Sequence, residues 1–66
     1  MIAPTDLRNK WQELASHGDY KKIADLHKID YRKVKSCVTG EDVTLEVFEI
    51  VANYYHQVDN LINQYL

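Results

Sequence analysis

Between Tyr20 and Gly40 the sequence carries two helical patterns, each about two turns long, with only Lys28 and Ile29 to join them before Asp30. This feature constrains the fold most. A two-turn helix is not stable alone, because nucleation fixes several dihedral angles for few hydrogen bonds. Both segments must therefore be held by packing. The first is predicted over roughly Tyr20 to His27, with Tyr20, Ile23, Ala24 and Leu26 as its apolar residues. The second runs from Tyr31 to about Thr39, with Val34, Cys37 and Val38 as an inner stripe at helical spacing. Asp19 and Asp30 are the expected N-caps, and Gly40 the expected terminator.

The flanks supply what the short helices need. Pro4 and Thr5 open a first helix, with Thr5 as its expected cap; Leu7, Trp11 and Leu14 lie on one face, and Gly18 is expected to end it. Thr44 is the expected cap of a long last helix, about 44–66. Its residues Val47, Val51, Tyr54, Val58, Leu61 and Tyr65 follow steps of four and three, the spacing of a coiled-coil seam. Phe48, Ile50, Tyr55, Ile62 and Leu66 widen that face. A helix apolar over so much of its circumference asks for more cover than three short helices give. No stretch alternates long enough to predict a strand. The expectation is an all-α, four-helix domain spanning 1–66, since 66 residues allow one domain.

Charge is divided along the chain. Lys21, Lys22, Lys28, Arg32, Lys33 and Lys35 face only Asp25 and Asp30 within residues 20–35, whereas residues 41–66 carry Glu41, Asp42, Glu46, Glu49 and Asp59 with no Lys or Arg. The formal net charge of −2 hides this asymmetry. One part of the molecule attracts phosphate and another repels it. A single cysteine, Cys37, forms no internal disulfide and reads as a small core residue. His17, His27 and His56 share no metal-ligand spacing with one another or with Cys37, and the carboxylates form no acid–base pair. No phosphate-cradling glycine loop and no nucleophile with a base occur. The chain is therefore not expected to be an enzyme or to need a cofactor. With no signal-peptide pattern and no apolar run of spanning length, a cytoplasmic protein without a membrane partner is expected.

The apolar residues between 20 and 40 fit a more specific template. Ala24 is small where two helix backbones would approach, Ile29 is apolar just after the turn, and Val34 follows five positions later to anchor the second helix inward. The stretch from Tyr20 to Gly40, closing Val38-Thr39-Gly40, resembles the helix-turn-helix of lambda repressor and Cro-like proteins, with the motif at about 20–38. The likeness covers about a third of the chain closely. Lys28 stands where that turn usually has glycine, and His27 where a small or apolar residue is usual.

The resemblance implies that the third helix enters the major groove of duplex DNA. Arg32 is then the candidate for a bidentate contact to guanine, while Lys33 and Ser36 read bases or hold phosphates. Tyr31 would bond a phosphate or meet a thymine methyl, Lys35 and Thr39 complete the outward face, and Lys21 and Lys22 meet the backbone at the start of the second helix. A module of this size buries only about 600–1,000 Å² on DNA. A homodimer on a palindromic operator is therefore expected, with Tyr54, Val58, Leu61, Ile62 and Tyr65 meeting the second copy. The expected activity is transcriptional repression by occluding DNA, because so small a domain has no evident room for a small-molecule ligand. Size and pattern resemble phage or mobile-element regulators. Two other readings compete: a helical protein-interaction module of antirepressor type, in which the last helix carries the function, and an antitoxin that binds both DNA and a toxin.

Overall fold

A computed structural model describes residues 1–65. The fold is all-α, with α1 at Thr5–Leu14, α2 at Asp19–His27, α3 at Tyr31–Thr39 and α4 at Leu45–Tyr65, and no strand among the described residues. Leu66, expected on the apolar face of α4, lies outside them.

The α3 helix is central. It packs against α1, α2 and α4, whereas the backbones of α1 and α2 do not approach each other closely. Val34, Cys37 and Val38 are buried on its inner face, as their spacing predicts. They meet Ile23 and Ala24 of α2 and Val47, Val51 and Tyr55 of α4 in one core that also takes in Trp11 and Ala3. Ile29 is half-buried against this core, the place expected for a plug after the turn. Trp11 stacks on Tyr55, ring centroids 6.0 Å apart and planes 24° apart, and lies 6.0 Å from Phe48. This aromatic layer joins α1 to α4 and uses the first half of α4 as part of the monomer's own core.

Local chemistry sets most of the joints. Asp30 Oδ1 accepts from the Arg32 amide at 2.9 Å, and Thr44 Oγ1 accepts from the Val47 amide at 3.3 Å, so both act as N-caps. Gly40 adopts φ +94° after α3, and its amide donates to the Ser36 carbonyl. Lys28 is left-handed at φ +55°, with its own amide and that of Ile29 both donating to the Ala24 carbonyl.

Four local expectations are corrected. Pro4, not Thr5, precedes the first helical residue of α1, and the Thr5 hydroxyl accepts from Arg8 instead of capping. Gly18 does not end α1: the helix stops at Leu14 with Ala15 extended, and Gly18 at φ +85° turns the chain into α2. Asp19 is the first helical residue of α2, and its carboxylate reaches back to the Ser16 amide at 2.7 Å, bracing the joint and not the helix end. Leu26 is not an inner residue of α2; it is 66% exposed, because Ile23 and Ala24 already fill the face turned to α3.

Candidate nucleic-acid interface

The inner stripe of α3 is consumed by the core, so the opposite face is fixed by elimination. Tyr31, Arg32, Lys33, Lys35 and Thr39 are exposed and Ser36 is half-buried, so this face turns outward as one surface. Lys21 and Lys22 are exposed in the first turn of α2. The two groups adjoin, because Tyr20 and Tyr31 meet at the starts of α2 and α3 with ring centroids 6.4 Å apart. The fold thus gathers the candidate DNA-contacting residues onto the outer face of α3 and the adjoining start of α2. Thr39 is the exception in chemistry: its hydroxyl donates back to the Ser36 carbonyl at 3.3 Å.

The electrostatics follow from what the cations lack. Among the described residues the ion pairs are Met1 ammonium with Asp42 and Lys10 with Asp59 at 3.6 Å. Lys21, Lys22, Arg32, Lys33 and Lys35 have no carboxylate within ion-pair reach among the described residues. Their positive charge is therefore open to an incoming anion. Burial, together with nearby Tyr31 and Asp19, pushes the Tyr20 hydroxyl above its ordinary pKa, and burial alone raises Cys37. Both stay protonated near neutrality, and the enclosed Cys37 thiol is no nucleophile. No group of three or more His, Cys, Asp or Glu suited to a metal occurs among the described residues.

The candidate partner surface on α4 divides in two. Tyr54 sits edge-on to Tyr55 at 5.2 Å and, like Val58, is half-buried within the monomer. Leu61, Ile62 and Tyr65 are 55%, 39% and 82% exposed. No described helix is long and apolar enough to cross a membrane.

Some neighbours of the interface carry no periodic signal in the sequence. Arg8 donates through Nε to the Ala3 carbonyl at 2.9 Å and lies against Gly40, so a side chain at residue 40 would collide with its guanidinium. Met1 and Val43 pair through their backbones, 42 residues apart. That pairing holds the α3–α4 joint beside the outer face of α3. No local rule predicts it, and the only sign of it is Val43 itself, an apolar residue in an otherwise polar joint. No family model, curated protein or solved structure matches the chain.

Proposed function

We propose that the chain is a sequence-specific double-stranded DNA-binding protein that acts as a homodimer and represses transcription by occlusion. One observation carries this reading: five cations, with no acidic partner among the described residues, stand on the outer face of α3 and the first turn of the adjoining α2. The residues resembling a lambda repressor and Cro-like motif agree with it, since Ala24 and Val34 are buried and Ile29 is packed against the same core. In this reading α3 enters the major groove, Arg32 bonds a guanine edge, and Lys21 and Lys22 hold phosphates.

Selection of bound duplexes from a random-sequence pool tests this, with the affinity of the winners measured at two salt concentrations. The expected outcome is a palindrome with half-sites about 34 Å apart and affinity that falls steeply with salt. Arg32→Ala is expected to cost about 1–3 kcal/mol at one base position and relax the choice there, and Lys22→Ala to weaken all sequences alike. Absence of binding even at low salt rejects the reading. The exposed Leu61, Ile62 and Tyr65 then favour the protein-interaction module, with α4 as its surface.

A further inference from the structure

Beside the cationic face of α3 runs a groove of about 420 Å³. Arg32, Lys33 and Ser36 form one wall, and Val43 and Val47 of the α3–α4 joint and α4 lie opposite. Val47 is almost wholly enclosed, at 4% exposure, so the half-buried Val43 and the exposed Met1 beside it carry the apolar surface that remains open there. Its position is fixed: the Val43 amide donates to the Met1 carbonyl at 2.8 Å, and its carbonyl accepts from the Met1 ammonium at 2.7 Å. The polar groups nearest to it are already engaged. Thr44 Oγ1 caps α4, and Asp42 is held by the Met1 ammonium. The groove therefore brings a small methyl surface into the same lining as Arg32 and Lys33, neither of which has an acidic partner among the described residues.

That pairing of chemistries has a counterpart in the major groove of DNA. A guanine presents two acceptors, O6 and N7, and a neighbouring thymine presents a C5-methyl group. The cationic wall also complements the phosphates that flank them. We propose that this groove reads a thymine, its methyl group seated on Val43 while Arg32 bonds to the adjacent guanine. Val43 then becomes a specificity-determining residue contributed by the α3–α4 joint and not by α3. The inference rests on the DNA-binding reading above and adds to it the identity of a base.

Deletion of single methyl groups tests it. In the selected duplex each thymine is replaced in turn by deoxyuridine, which removes only the C5-methyl, and affinity is measured for the parent, Val43→Ala and Val43→Thr. One thymine per half-site, next to the guanine that Arg32→Ala ceases to select, is expected to lose about fourfold in affinity for the parent, the worth of one buried methyl. In both variants that ratio should fall below the parental value, because each removes part of the apolar seat, with the other thymines unchanged. Val43→Thr keeps the side-chain volume, and a parental helical signal and melting temperature certify its fold. A parent that binds tightly with no thymine methyl sensitive at that position overturns the inference and leaves the DNA-binding reading intact. So does a methyl sensitivity that both Val43 variants leave undiminished, which would assign the contact to another side chain, such as Met1 or Tyr31. A parent that binds no duplex overturns both.

Discussion

Tyr55 is the residue at which the core is least satisfied. It is 1% exposed, stacks on Trp11, and its hydroxyl has no hydrogen-bond partner among the described residues. A buried polar group left unpaired costs about 1–3 kcal/mol, whereas the same ring without the hydroxyl keeps all of its packing. Tyr55→Phe is therefore expected to leave stability unchanged or raise it by about 1 kcal/mol. The pH dependence is sharper. Burial foremost, with Asp19, Tyr20 and Tyr54 nearby, pushes the Tyr55 hydroxyl well above its ordinary value near 10. The unfolded chain then releases this proton first as pH rises. The protection from Tyr55 is complete below about pH 10 and is lost progressively above it; Tyr20 acts in the same window, and Cys37 adds a loss that begins about one unit lower. Denaturant unfolding at pH 8 to 11.5 should show stability falling above about pH 10, with a shallower fall in Tyr55→Phe. Parallel profiles for the two proteins would mean that the hydroxyl is not secluded.

At the scale of elements, what was legible in the sequence is what chemistry within a few residues decides. Asp30, Gly40 and Thr44 each act through a neighbour two to four positions away, and each does what its residue type predicts. Gly18 and Asp19 were misread because the α1–α2 joint closes on Ser16, where a backbone amide competes for the carboxylate that a cap would use. The groove wall at Val43 is illegible in the sequence because its support comes from Met1, 42 residues away along the chain. The α2–α3 joint lies between these cases. Its place is legible in Ala24, Ile29 and Val34, and its cost in a lysine standing where the turn usually has glycine; the structure gives the angle, with Lys28 at φ +55°, where a Cβ crowds the carbonyl that follows. Glycine avoids that cost of about 1–2 kcal/mol and loses part of the gain through its freer unfolded chain, about 0.5–1 kcal/mol. Lys28→Gly is thus expected to stabilise by about 0.5–1 kcal/mol, a rise of roughly 2–8 °C in thermal midpoint for a domain of this size. A lower midpoint would show that the Lys28 side chain makes a compensating contact in solution.

At the scale of the whole molecule, the last stretch of α4 decides whether one copy or two does the work. Leu61, Ile62 and Tyr65 present apolar surface beyond the core, and the residues between them and Asp59 are Asn60, Asn63 and Gln64. Residues 60–65 therefore carry no charged side chain. Two copies meeting here bring no like charges together, whereas pairing through Glu46 and Glu49 nearer the start of α4 would. The dimensions also suit two copies. One protomer measures 33 × 25 × 19 Å, so two that abut can hold their α3 helices about one DNA turn, roughly 34 Å, apart. Sedimentation equilibrium is expected to show a reversible dimer for the parent and a monomer for the double variant Leu61→Glu, Ile62→Glu. Both residues are exposed, so the variant should keep the parental helical signal. On DNA the two effects separate. Binding to a single half-site should be unchanged, and binding to the full palindrome should weaken by about a hundredfold, because linking two weak contacts multiplies affinity only while the link exists. A parent that stays monomeric and binds each half-site independently would place the α4 surface in another partnership and make the palindrome a matter of two unlinked sites.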